Sequence, residues 1–289
     1  MNRILATLSL GLFASALAPA QMSDYLDVYV AHVKPDKRAD FEALSRKVAD
    51  ANRKPKGDRW IAMETVYGDG NVFQFVSERK DYAAVDQSMK DFMAALNEAF
   101  GPASKKMDQD YLNTVVSVHS ELRRRRWDLS INGPKDRDAY AKIVGNARWL
   151  RTIEVHVRQG HEAEFEEQVK QVKTAYESGA TSWPLFVSQV VAGAPGNVYY
   201  ISSLQPSLAS FDSAPSTRKL MGEEAFGAWE KSTGETVTWS ETRILRLRSE
   251  LSSPPEDIVQ TAMEFWTPKP VAAIAQRPKK VAQVANANQ

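Results

Sequence analysis

The chain carries one pattern twice. Tyr25-Leu-Asp-Val-Tyr-Val-Ala-His32-Val-Lys, followed by Phe41 in a charged helical stretch, returns as Trp149-Leu-Arg-Thr-Ile-Glu-Val-His156-Val-Arg, followed by Phe165. His32 and His156 stand 124 residues apart, as do Phe41 and Phe165, and Glu98-Ala-Phe-Gly101 recurs 126 residues on as Glu224-Ala-Phe-Gly227. A drift of two residues is what small loop changes leave in a duplicated unit. Whatever the first half folds into must therefore be able to occur twice and satisfy itself.

Each unit reads strand, helix, strand, strand, helix, strand. In the first, Tyr25 to Val33 alternates at the two-residue period of a strand, and Asp36 to Ala51 sets Phe41, Leu44 and Val48 on one helical stripe. Trp60 to Tyr67 and Val72 to Ser77 flank Gly68-Asp-Gly-Asn71, a hairpin signal. Tyr82 to Phe100 carries Val85, Met89, Phe92, Met93 and Leu96 at helical spacing, Gly101-Pro102 ends it, and Thr114 to Arg123 supplies the last strand. The second unit repeats the order with strands Leu150–Arg158, Leu185–Val191, Val198–Leu204 and Val237–Leu247. Its first helix spans His161–Tyr176, and its second is interrupted near Pro206 and Pro215. Right-handed crossovers turn this order into a four-stranded antiparallel sheet, 4-1-3-2, with both helices on one face. The bare face must be covered, and the other copy can cover it. The expectation is an α+β fold in which two sheets close into one α/β barrel within a single chain.

The ends read differently. Arg3, the apolar run Ile4 to Leu17 and Ala18-Pro-Ala20 predict a signal peptide over residues 1–20, cut between Ala20 and Gln21, and hence a periplasmic or secreted protein. No later stretch has the roughly 20 apolar residues of a membrane span. The first repeat is placed at residues 21–127, a polar connector at 128–147, the second repeat at 148–250, and a short docking helix with a disordered tail at 251–289. Arg3 is the one charged residue of the leader, so its removal takes the formal net charge from +1 to zero, which argues against a nucleic-acid surface. Cysteine is absent, which excludes disulfides, thiolate catalysis and cysteine-ligated metals.

Strand alternation separates two faces. Tyr29, Ala31, Val33, Phe73 and Phe75, with Ile153, Val155, Val157, Tyr199 and Ile201, form an apolar set expected beneath the helices. The opposite set, expected inside the barrel, is polar: His32, Glu64 and Gln74, then Thr152, Glu154, His156, Gln189, Tyr200 and Ser202. Such groups must bond one another, hold water or meet a ligand. His119 and Glu241 are expected at the starts of the fourth strands, beside His32 and His156. Imidazole paired with imidazole or carboxylate can carry protons or bind a divalent ion. The candidate ligand-binding residues are thus His32, His156, Glu154, Tyr200, Gln189, His119 and Glu241, with no catalytic residue and no metal ligand assigned. The run Arg123 to Arg126 reads as a solvated or ion-paired cluster. No dinucleotide loop, Walker sequence, His-Glu-x-x-His or Gly-x-Ser-x-Gly motif is present.

Val155-His-Val-Arg-Gln-Gly-His-Glu-Ala-Glu-Phe165, Val30-Ala-His-Val-Lys-Pro-Asp-Lys-Arg-Ala-Asp-Phe41 and Glu224-Ala-Phe-Gly-Ala-Trp-Glu230 resemble the dimeric α/β-barrel superfamily of ferredoxin-like βαββαβ domains. That group includes antibiotic biosynthesis monooxygenase-like, heme-degrading and NIPSNAP-like domains, here present as a tandem repeat. The resemblance implies a monomer that is its own pseudo-dimer. The heme-degrading members' first-strand Asn and second-helix His have no counterpart here, so their chemistry does not transfer. The reading of the whole is an exported, small-ligand-binding or non-catalytic barrel protein whose guest is apolar or aromatic. Its enzymatic alternative is a cofactor-independent or heme-related monooxygenase. No cofactor is expected, with heme or a divalent metal as the alternatives.

Overall fold

The computed structural model describes residues 22–267, so the leader and the tail beyond Thr267 lie outside the described residues. The first half runs β1 (Tyr25–Val33), α1 (Arg38–Asn52), β2 (Ile61–Tyr67), β3 (Val72–Arg79), α2 (Tyr82–Phe100), α3 (Ser104–Leu112) and β4 (Val115–Arg125). The connector contains α4 (Arg137–Asn146). The second half runs β5 (Trp149–Val157), α5 (Glu162–Ser178), β6 (Phe186–Ala192), β7 (Asn197–Gln205), α6 (Thr217–Met221), α7 (Glu223–Thr236) and β8 (Val237–Leu247). Two short helices follow, α8 (Glu256–Thr261) and α9 (Met263–Trp266). None of these helices is long and apolar enough to cross a membrane.

The strands close into a barrel in the order β1-β3-β2-β8-β5-β7-β6-β4. Each half contributes its strands in the expected 4-1-3-2 order. The seams are β2 on β8, where Glu64 faces Arg246, and β4 on β6, where Arg124 faces Gln189. Closure pairs the edge strands that each half alone would leave open. Both seams are short: β4 meets β6 only over Leu122–Arg125, and β8 meets β2 only over Ile244–Leu247. The first halves of β4 and β8 pair with β1 and β5 alone, so the barrel opens at that end.

The helix-facing set is as expected. Ala31, Val33, Phe73 and Trp60 pack with Phe41 of α1, whose ring centroid lies 4.9 Å from that of Phe73, and Val155, Val157 and Tyr199 pack with Phe165 of α5. The interior is graded. Its base is apolar, with Met63, Leu245 and Leu247 packed against Tyr140 and Val144 of α4, Ile258 of α8 and Trp266 of α9. Gly145 lets α4 and α8 meet: a Cβ there would sit 1.6 Å from Thr261 Oγ1. The connector and the C-terminal helices together form a plug.

Glu64 corrects the sequence reading. It pairs with Phe73, so it shares the helix-side face, where it bonds Arg38, Arg246 and Arg248 and ties α1 to the β2/β8 seam. Met63 takes the interior position instead. A one-residue error of phase carries a side chain to the opposite face of a strand. Helix α3 is also absent from the sequence expectation, because Gly101-Pro102 ends α2 and then starts a 3-10 turn that leads straight into it.

Candidate functional site

At the open end of the barrel, six of the seven candidate residues come together. His32 and His119, on neighbouring strands, stand with ring centroids 6.1 Å apart. Beside them Glu121, 6% exposed, takes hydrogen bonds of 2.8 Å from Arg123 Nε and 3.4 Å from the Tyr200 hydroxyl. Arg123 also lies over the Tyr200 ring, its guanidinium carbon 3.5 Å from the centroid. Across the barrel, Glu154 bonds His156 Nε2 at 2.8 Å and Arg243 Nη1 at 2.8 Å, while Glu241 pairs with Arg243. Burial pushes the Glu154 carboxyl upward, but the His156 hydrogen bond and the Arg243 charge outweigh it and hold the group below the usual carboxylate range. Burial raises the Tyr200 phenol, so the hydroxyl keeps its proton. A cavity of about 150 Å³ opens among these groups.

Gln189 is the exception. It pairs with Tyr199 on the helix side, 3.2 Å from Arg126 Nη1, and Ser188 faces the interior opposite Tyr200. The error is again one of phase, in a strand whose pairing with β4 is shifted by an irregularity beside Arg123. Three arginines of the Arg123 to Arg126 run are ion-paired: Arg123 with Glu121, Arg125 with Glu78, and Arg126 with Asp128.

A second, larger cavity was not read from the sequence. About 340 Å³ lies between the first-half sheet and helices α1, α2 and α3, walled by Tyr29, Val48, Trp60, Phe75, Phe92 and Tyr111. Helix α2 covers it loosely, burying only Ser88, Ala95 and Leu96 and leaving Met89 and Met93 exposed. One end is polar. Arg79 holds Asp58 through two bonds of 2.9 Å and reaches Asp27 at 3.4 Å. Burial raises the Asp58 carboxyl in spite of Arg79. Burial raises the phenols of Tyr29 and Tyr111. Two donors in this lining have no partner among the described residues: Ser45 Oγ, on a residue 4% exposed, and Arg79 Nε, on one 7% exposed. The sequence signal was present. Ser45 sits on the buried stripe of α1, where the second half has Val169, and Arg79 stands where the second half has Gln205.

No protein-family profile matches the chain, and no curated protein matches it in sequence. Solved structures do match in shape. A candidate monooxygenase of Fusobacterium nucleatum superposes with a TM-score of 0.51 at 13% identity, covering 78% of this chain and 93% of that one. An anthrone oxidase-like protein gives 0.50 at 9% identity, covering 80% and 94%. A chlorite dismutase of Candidatus Nitrospira defluvii, solved with imidazole, gives 0.42 at 8% identity over 86% and 97%. At these identities the first two likenesses concern the fold, which is that of the closed α/β barrel.

Proposed function

We propose that the protein is an exported monomer that binds a small apolar or aromatic molecule beneath helices α1, α2 and α3. The observation that carries this reading is the 340 Å³ apolar cavity with Ser45 Oγ and Arg79 Nε left unbonded in its lining. Binding pockets are mostly apolar, with a few polar groups that fix orientation. Leaving two buried donors unpaired costs about 1–3 kcal/mol each, a cost that a guest with an acceptor oxygen removes. Such a guest would stack on Trp60 and Phe92 and turn its oxygen toward Ser45 or Arg79. The leader-like residues 1–20 support export, and barrel closure within one chain supports the monomer. The test is native mass spectrometry with an absorbance spectrum on protein purified from its own host. A retained small organic molecule at 1:1 on a monomeric mass is the expected result. An empty protein whose tryptophan fluorescence responds to 1-naphthol no differently from that of Trp60→Phe would overturn the reading.

The pocket also favours one form of the alternative. Its lining contains no histidine, and burial raises both of its phenols and so keeps them protonated, a poor donor set for heme iron. What the lining does offer is Asp58, a carboxyl raised by burial and placed at the polar end, as the candidate base for a cofactor-independent oxygenation of the guest. The names of two structural neighbours, a monooxygenase and an anthrone oxidase-like protein, are in keeping with that chemistry. Oxygen uptake in the presence of the bound molecule, abolished in Asp58→Asn, separates the enzyme from the carrier.

A further inference from the structure

We propose that the open end of the barrel is a second binding site, separate from the apolar pocket, and that it takes a small molecule bearing a primary ammonium group. Four carboxylates gather there, Asp69, Glu121, Glu154 and Glu241, against two guanidinium groups, Arg123 and Arg243. Both arginines are spent on internal pairs: Arg123 on Glu121, and Arg243 on Glu154 and Glu241. Counted over these carboxylates and guanidinium groups alone, the mouth carries two net negative charges, and neither guanidinium is free to meet an anion.

The unfilled groups of the site are the Glu121 carboxylate oxygen Oε1, the Gln74 amide and Thr65 Oγ1, which is buried without a partner among the described residues. Glu121 Oε1, on a side chain 6% exposed, has only long contacts, 3.4 Å to the Tyr200 hydroxyl and 3.5 Å to His119 Nε2. A buried carboxylate oxygen is ordinarily met by charge-assisted donors at about 2.7–2.9 Å. Gln74 is 5% exposed and lies on the cavity wall, and its side chain makes no hydrogen bond among the described residues. The Gln74 carbonyl, Glu121 Oε1 and Thr65 Oγ1, on a residue 8% exposed, are three oxygens that can each accept from an N–H donor. An ammonium group supplies three donors and a charge of the right sign. A chelated metal ion fits less well, because among the described residues no three His, Asp or Glu side chains are arranged to hold one. The way in is open, since the His119 side chain is 45% exposed and Asp69 is exposed at the rim. About 150 Å³ limits the guest to a few heavy atoms.

The four histidines provide the readout. His32, His119 and His156 line or adjoin the mouth, while His161 lies outside the barrel at the start of α5 and serves as the internal control. The full chain is titrated with propylammonium chloride, 1-propanol and sodium butyrate while the imidazole C–H resonances are followed. Propylammonium alone should shift His32 and His119 saturably and leave His161 in place. Gln74→Leu, which alters no charge, and Glu121→Gln should each weaken that binding by at least roughly tenfold. Far-UV circular dichroism checks that each variant is folded, and Gln74→Leu decides the matter if Glu121→Gln is not. Equal shifts from propanol or butyrate would overturn the proposal. So would unchanged binding in Gln74→Leu, or stoichiometric zinc binding at His32 and His119 that the amine cannot displace. None of these results depends on the apolar pocket being occupied.

Discussion

Ser45 has no hydrogen-bond partner inside the first half, whereas Val169, at the corresponding place in the second, is simply packed against Val155 and Tyr199. If Ser45 is kept for a guest, Ser45→Val should stabilise the empty protein by about 1–2 kcal/mol, the usual gain when a buried unpaired hydroxyl is removed. It should also weaken binding of an acceptor-bearing aromatic; urea unfolding and a fluorescence titration measure the two effects separately. Glu64 behaves in the opposite sense. It is 4% exposed and bonds Arg38, Arg246 and Arg248, so Glu64→Ala leaves Arg248, 8% exposed, without its partner on β2. Arg248 keeps Glu42 and Glu250, and Arg38 and Arg246 reach solvent, so a loss of about 1–3 kcal/mol is expected in the same unfolding assay. At this scale the sequence was legible wherever a strand had a continuous apolar face to set its phase, as in β1 and β5. It misled at Glu64 and Gln189, on the hairpin strands, where polar and apolar residues mix on both faces and a single-residue shift exchanges inside for outside.

The elements that build the larger cavity are the ones periodicity described least well. Helix α2 shows its stripe clearly, yet that stripe does not bury as a core helix would: Met89, on the cavity lining, and Met93 remain exposed. Methionine adapts to irregular surfaces, which suits a loose cover. Helix α3, hidden behind Gly101-Pro102, brings Met107 and Tyr111 to the far wall, so a reading without α3 had no wall to enclose a pocket. The C-terminal helices show the reverse. Ile258, Ala262 and Phe265 marked a docking segment in the sequence, and the structure joins them with Trp266, 1% exposed, whose indole Nε1 donates to the Gly145 carbonyl at 2.8 Å. These helices close the barrel base. Trp266→Ala should therefore cost about 3–5 kcal/mol, lowering the melting temperature by roughly 10 °C in calorimetry. Deletion from Ser252 onward should cost more, because Ser252 Oγ accepts from Ala62 N and Ser253 exchanges two backbone hydrogen bonds with Trp60.

At the scale of the whole molecule, two halves of one topology are filled differently. Beneath the first sheet a cavity remains, while beneath the second Gln168 bonds Ser232 and Thr236 and takes the Trp229 indole on its carbonyl. The second half's strands carry more of the inward polar groups, and these are consumed largely by one another, as Glu154 is by His156 and Arg243 and Thr152 by Ser202. Ion pairs of the mouth and of the helices give the fold a pH dependence of definite sign. Glu166 lies below the usual carboxylate range through its bonds to Arg126, and the arginine partners of Glu42 and the His156 and Arg243 partners of Glu154 overcome burial to the same end. A carboxyl depressed in the folded state stabilises fully above its unfolded value, about 4.3 for Glu, and loses that contribution as pH falls through the folded value. The urea midpoint should therefore hold steady from pH 7 to 5 and drop steeply below about pH 4. Glu154→Gln should be less stable than the parent at pH 7, and the difference should narrow in acid as the parent's own carboxyl takes up its proton. A gap between the two proteins that stays constant down to pH 3 would mean that Glu154 stabilises the barrel by packing rather than by charge.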